Sequence, residues 1–218
     1  MEIGIIGAAG DMGRLYARHF AKLYRVNVCD LPEKRTQIEQ ELSSPNISIL
    51  NDGIAVSRRS DFIIYSVEAE NIGRVVQQYG RSTKQGAIVA GATSVKTPEI
   101  EAFERHLPED VHITTFHSLH GPNISPEKGA LAIIPHRTDN DAYQRAWRIL
   151  ESLGSKMVEL SDYREHDRIT ADTQAATHIA FESMGTAWKN IGLFPWENPA
   201  YMGGIDNVKI LMMLRIYG

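Results

Sequence analysis

Ile3-Gly4-Ile5-Ile6-Gly7-Ala8-Ala9-Gly10-Asp11-Met12-Gly13 is the stretch that decides the fold. A short apolar β-run passes into a glycine turn, and helical character follows from Arg14 to Leu23. A strand, a glycine turn and a helix N-terminus together make a phosphate cradle. Glycine lets backbone approach a pyrophosphate, and the free N–H groups and helix dipole hold the negative charge. The spacing is G-x-x-G-x-x-G, with Ala8 standing where G-x-G-x-x-G would place glycine. A glycine fingerprint is weak without context. Here a second β-run, Arg25 to Asp30, ends in an acid 17 residues after Gly13. The bland reading is a tight β–α turn with no ligand. The functional reading takes Gly7, Ala8, Ala9, Gly10, Asp11, Met12 and Gly13 as the cofactor loop, joined by Asp30 and by Ser66 and Val67.

Strand and helix signals alternate outward from this unit over roughly the first 160 residues. Asp61 to Val67 and Gly86 to Gly91 are continuous apolar runs, as in strands covered on both faces of a parallel sheet. Val111–Phe116, Ala130–Pro135 and Lys156–Leu160 read as further strands. Asn71–Tyr79, Pro98–His106 and Ala142–Leu153 read as helices, the second with proline in its first turn and the third ended by Gly154. Such alternation predicts a Rossmann-type, doubly wound, mainly parallel α/β domain over 1–160. From Ser161 to about Asn190 no strand signal appears, and the spacing predicts one long helix. A loop around Trp196 and Gly203-Gly204 leads to another helix from about Asp206, still running at Tyr217. Residues 161–218 therefore read as the start of an all-α domain, with the expectation that it is incomplete.

Composition narrows the function classes. The chain has 218 residues, 43% of them hydrophobic and 23% charged, with a net charge of −4. That balance carries no nucleic-acid or membrane signature. No apolar run approaches the roughly 18 residues of a membrane span. The single cysteine, Cys29, fits a reducing compartment, and the chain passes directly into a strand without a leader. The expectation is a cytoplasmic protein.

Three polar clusters stand where predicted strands end or the helical part begins. Ala92-Thr93-Ser94-Val95-Lys96 offers hydroxyls to a substrate, or is a turn and helix cap. Phe116-His117-Ser118-Leu119-His120-Gly121-Pro122 places His117 at a strand end. Histidine is the side chain best suited to proton transfer near neutral pH. His117 and His120 also raise a metal reading, but no Cys, Asp or Glu in that loop completes a site, so no metal is expected. Glu165-His166-Asp167 continues to Thr170, Gln174 and His178. Steps of three and four set 167, 170, 174 and 178 on one helix face, either a binding face or a solvated one. Arg215 is a surface charge or a carboxylate clamp.

Read together, these stretches resemble prephenate dehydrogenase of the fungal NADP-dependent type. The likeness is strongest in His117-Ser118-Leu119-His120-Gly121-Pro122 and in Glu165-His166-Asp167-Arg168-Ile169-Thr170-Ala171-Asp172-Thr173-Gln174-Ala175, and it continues through Met202-Gly203-Gly204 and Leu214-Arg215-Ile216-Tyr217. Members of that family are longer. The resemblance implies oxidative decarboxylation of prephenate to 4-hydroxyphenylpyruvate, in tyrosine biosynthesis, with hydride passing to a nicotinamide. It implies that His117 accepts the substrate hydroxyl proton and that Ser94 orients that hydroxyl. His178, Gln174 and Arg215 would contact substrate, Arg215 at a carboxylate. A homodimer built by the completed helical domain is implied as well. The cofactor presents a conflict. Asp30 favours the free ribose hydroxyl of NAD, whereas the family implies NADP, which Lys34 and Arg35 could answer. NADP is the expectation, with NAD possible. Two rivals stay open: arogenate dehydrogenase, and a non-catalytic NADP-binding regulatory protein.

Overall fold

A computed structural model describes residues 1–192, 194–197 and 205–217, except the side chains at 205, 206, 215 and 217. The Gly203-Gly204 loop and the Arg215 side chain lie outside the described residues. The described chain divides into two compact units, Met1–Asp167 and Arg168–Gly218.

The first unit is built on an eight-stranded sheet ordered β3-β2-β1-β4-β5-β6-β7-β8. Its strands are β1 (Glu2–Ile6), β2 (Arg25–Cys29), β3 (Ile47–Ile49), β4 (Phe62–Tyr65), β5 (Ile88–Gly91), β6 (His112–Ser118), β7 (Ala130–Arg137) and β8 (Lys156–Glu159). Every neighbouring pair is parallel except β6 and β7. Strand order reverses at β1, which lies between β2 and β4, so the C-terminal ends of these strands flank the topological switch point. The doubly wound, mainly parallel sheet expected from the sequence is present.

Helices cover both faces. Ile3, Ile5, Phe62, Ile64 and Phe116 face a core shared with α1 (Asp11–Phe20) and α6 (Asn140–Glu151). Ile6, Ile63, Tyr65, Val89 and Ile113 face a second core shared with α3 (Gly53–Arg59), α4 (Ile72–Tyr79) and α5 (Thr97–His106). The alternation of side chains along a strand therefore assigns each strand residue to one helical layer.

Two helices lie where the sequence reading had only polar connection: α2 (Arg35–Glu41) and α3. Each is seven residues long, and α2 buries a single side chain, Ile38, so no apolar period is there to be read. The start of α3 is fixed by the Asp52 carboxylate, which accepts a hydrogen bond from the Ala55 N–H at 2.8 Å.

The long helix expected over 161–190 is not continuous. It consists of α7 (Tyr163–Thr170), a π-helical turn at Ala171–Ala175, and α8 (Ala176–Ile191). The Thr173 hydroxyl donates back to the Ile169 carbonyl at 2.6 Å and the Thr177 hydroxyl to Thr173 at 2.8 Å, a pattern that loosens the regular ladder. The wide turn shifts the helical phase, so steps of three and four do not carry one face from 170 through 178. The last helix is α9 (Ile205–Tyr217), which packs on α8.

Candidate active site

The glycine turn has the shape of a cofactor cradle. Gly7 takes φ +94°, and a Cβ there would collide with the Ser66 carbonyl oxygen. A Cβ on Gly13 would collide with the Gly7 carbonyl oxygen, so glycine is required for α1 to start this close to β1. Gly10, by contrast, has only the Gly7 oxygen nearby, at 3.6 Å, which leaves its outer side open. Ala8, in place of a glycine, is fully buried, and its N–H donates to the Cys29 carbonyl at 3.1 Å. The alanine methyl therefore points into protein, away from the ligand side. Arg14 grips the loop through the Ala9 carbonyl and Asp11, and pairs with Glu41 at 2.8 Å.

Beside the turn lies a cleft of about 240 Å³ bordered by Gly7, Gly10, Asp30, Ser66, Val67 and Arg74, among others. It sits at the β1/β2/β4 switch point, where open α/β sheets bind nucleotides. These residues fit a dinucleotide: the turn offers bare backbone and a helix N-terminus, and the cleft offers an apolar wall. The Asp30 carboxylate is already engaged, accepting from the Ala9 N–H at 2.7 Å and the Leu31 N–H at 2.8 Å. Cys29, under the cleft, is buried, and burial reinforced by Asp30 and Asp52 pushes its thiol up to about 12.

A second constellation forms at the ends of β5 and β6. Thr115 and His117 share the β6 face that meets α5, while Phe116 and Ser118 face the α1 layer, where Ser118 hydrogen-bonds Tyr16 at 2.8 Å. Lys96 and Glu99 are completely buried. The Lys96 ammonium donates to the Gly91 carbonyl at 3.0 Å and the Phe116 carbonyl at 2.5 Å, and pairs with Glu99 at 3.2 Å. Glu99 also accepts from the Thr93 hydroxyl at 2.6 Å and from Thr115. This satisfied ion pair ties β5, β6 and α5 together.

His117 lies directly above that pair, 6% exposed. Its Nδ1 is 2.9 Å from Nε2 of His166, which is itself 2% exposed. His166 Nδ1 is 2.9 Å from Asp167 Oδ1. The Asp167 carboxylate also accepts from the Lys96 N–H at 2.7 Å, the Thr97 N–H at 2.8 Å and the Thr97 hydroxyl at 2.7 Å. Burial pulls His117 down to about 3, helped by the Lys96 ammonium and by His166, against the Asp167 carboxylate. Burial also lowers His166, which Asp167 opposes. For Asp167 burial acts upward, but the Thr97 hydroxyl, the two backbone amides and His166 outweigh it and hold the carboxyl below its usual range.

Not every expected site residue joins this cluster. Ser94 is exposed, and among the described residues no hydrogen bond joins it to His117; Thr93 is the hydroxyl drawn into the buried network. Gln174 lies in the π turn and His178 on α8, both exposed within the second unit. The sequence reading passed over His166, Asp167, Lys96 and Glu99 as site residues. His166 and Asp167 were visible only as part of a polar helix face, and charged residues such as Lys96 are ordinarily expected on the surface.

Fold and site together define a Rossmann-type dinucleotide-binding protein with a buried histidine beside the nucleotide crevice. Within that class the chain is a homologue of the fungal NADP(+) prephenate dehydrogenases. It is 51% identical to the probable enzyme of that name from Schizosaccharomyces pombe, over 99% of this chain and 50% of that protein. It is 49% identical to the one from Saccharomyces cerevisiae, over 99% of this chain and 48% of that protein. The chain thus spans about half the length of the curated relatives it matches. A protein from Methanocaldococcus jannaschii named probable arogenate/prephenate dehydrogenase is 25% identical over 100% of this chain and 49% of its own length. Residues 175–218 match a family described as 6-phosphogluconate dehydrogenase C-terminal domain. Among solved structures, the prephenate dehydrogenase of A. aeolicus in complex with hydroxyphenyl propionate and NAD+ superposes with a TM-score of 0.77 at 16% identity. That match covers 100% of this chain and 82% of the other, and it bears on the fold.

Proposed function

We propose that this chain forms the nucleotide-binding and proton-accepting part of an NADP-dependent prephenate dehydrogenase. The observation that carries this reading is the buried His117, held at the end of β6 by named partners, in a chain half identical to enzymes of that name.

The reaction asks little covalent chemistry of a protein. NADP, when bound, takes a hydride from the ring carbon bearing the hydroxyl. Loss of the ring carboxylate as carbon dioxide then restores aromaticity and drives the reaction. The protein must place the substrate and hold one proton for the duration. His117 takes the hydroxyl proton as the carbon–oxygen bond gains double-bond character. It returns the proton when the decarboxylated ring becomes a phenol, so no net proton is consumed. Ser94 is proposed to orient the hydroxyl, His178 and Gln174 to contact substrate, and Arg215 to bind a carboxylate. Gly7 to Gly13, with Asp30, Ser66 and Val67, are proposed to hold the dinucleotide.

NADP is supported by the names of the fungal relatives and by the engagement of Asp30 with backbone N–H groups, which draws that carboxylate toward the glycine loop. Arg74 borders the same cleft and can meet a 2′-phosphate. A homodimer is proposed on the exposed apolar side chains of the second unit, among them Ile179, Ile191, Val208 and Leu211. A cytoplasmic location is proposed in keeping with the absence, among the described residues, of any helix long and apolar enough to cross a membrane.

The test is NADP reduction with prephenate, with arogenate and with neither, on this chain and on one extended to the relatives' length. Turnover of prephenate is expected. Arogenate is the second reading, favoured by the name of the archaeal relative. Preference for arogenate would replace the substrate, and NADP binding without turnover of either would leave only a binding protein.

A further inference from the structure

We propose that Asp167 and His166 are positioning residues behind His117, forming a relay that fixes its free lone pair on Nε2 and shares the proton it receives. The argument starts at the carboxylate. Asp167 accepts from two backbone N–H groups, at Lys96 and Thr97, and from the Thr97 hydroxyl. Backbone amides can only donate, and Asp167 sits at the N-terminal end of α5, whose dipole favours a negative charge. The carboxylate is therefore ionised and can only accept from His166 Nδ1, 2.9 Å away, so that nitrogen carries hydrogen.

A neutral His166 then has a bare Nε2. That atom faces His117 Nδ1 at 2.9 Å, so His117 must donate from Nδ1. One tautomer remains for a neutral His117, with the lone pair on Nε2. Each ring is oriented by the one behind it, as a metal-bound or catalytic imidazole is oriented by its partner.

The proton balance follows from this order. A hydroxyl proton arriving at His117 Nε2 makes an imidazolium in a buried site. Movement of the Nδ1 proton to His166 Nε2 carries the positive charge next to the Asp167 carboxylate, and the reverse movement restores the resting state as the proton is returned. The charged groups facing His117 are Lys96, His166 and Asp167, and Glu99 acts on His166. Lys96 opposes a positive charge on His117, which gives the relay its purpose: it moves that charge toward an anion.

The proton-sharing half of this inference rests on the dehydrogenase reading, whereas the tautomer half does not. Long-range nitrogen–proton NMR of histidine-labelled protein at pH 6–8 tests the latter directly. His117 and His166 are both expected as neutral Nδ1–H rings. An Nε2–H ring on His117, or an imidazolium on His166, overturns the relay. Asp167→Asn is expected to populate the Nε2–H form of His117 and to lower kcat roughly 100-fold, with KM for the cofactor within about threefold. Unchanged tautomers in that variant overturn the proposal. His166→Gln supplies a check if Asp167→Asn does not fold, because glutamine keeps an acceptor near the Nε2 position without a path for charge. It is expected to retain the His117 tautomer and to lose kcat to the same extent; wild-type kcat in His166→Gln overturns the sharing of the proton. Absence of turnover in the unmutated chain with Nδ1–H rings in place would sink the dehydrogenase reading and sustain the tautomer assignment.

Discussion

His117 occupies the inner, α5-facing side of β6, and its neighbours one residue away face the opposite layer. One strand position thus decides between a tyrosine-lined core and a buried ion pair. Replacing it by asparagine removes the proton acceptor at similar volume. We expect kcat to fall by about 10²–10⁴-fold while NADP affinity, measured by fluorescence titration, changes little; unchanged turnover would remove His117 as the base. Its depressed pKa also has a stability consequence. Between about 6.5 and about 3 the unfolded chain binds the proton that the folded chain refuses, so stability is full above 6.5 and declines as pH falls through that window. The slope from this group is at most about 1.4 kcal/mol per pH unit, and His117→Asn should flatten it in urea melts at pH 5 and 7. Arg74 has its effect at the same scale. Arg74→Ala should raise KM for NADP about tenfold relative to NAD, reflecting one lost charge-assisted contact; equal effects on both cofactors would separate Arg74 from the 2′-phosphate.

Among the elements, α5 does most to organise the site. Its first residues hold Asp167, and one turn further Glu99 holds Lys96 beneath His117. Lys96→Met leaves an uncompensated buried carboxylate and should cost about 3–5 kcal/mol in denaturant unfolding. Adding Glu99→Met should recover only part, because the Gly91 and Phe116 carbonyls and the Thr93 and Thr115 hydroxyls lose partners as well. Full recovery would mean the pair is not the tie described. At the other end of the sheet, Gly13→Val drives a side chain into the Gly7 carbonyl and should weaken NADP binding at least about tenfold, which titration of the folded variant would show.

At the scale of the whole molecule, the chain divides at Asp167/Arg168, so the residues of the polar 165–178 stretch fall into different units. The second unit leaves Ile191 74% exposed and Leu211 68% exposed. We expect the chain to self-associate at tens of micromolar (roughly the range of weak interfaces), and light scattering on a sizing column would detect it. A clean monomer there would count against the dimer reading.

Local chemistry made much of this visible in the sequence. The glycine turn, the apolar runs of β4 and β5 and the strand–helix alternation are properties of neighbouring residues, and they determined the nucleotide-binding sheet and the position of His117 at a strand end. The short helices α2 and α3 left no period long enough to read, and the π turn at Ala171–Ala175 broke a period that looked continuous. The relay was beyond reach for a different reason. His117 and His166 are 49 residues apart, and Asp167 lies 71 from Lys96. Nothing in either neighbourhood specifies the other, because a hydrogen bond of this kind exists only after β5, β6, α5 and α7 have been brought together. The sequence by itself determined the cradle; tertiary structure alone decided what stands behind His117, because burial and the partners it brings set which nitrogen carries the proton.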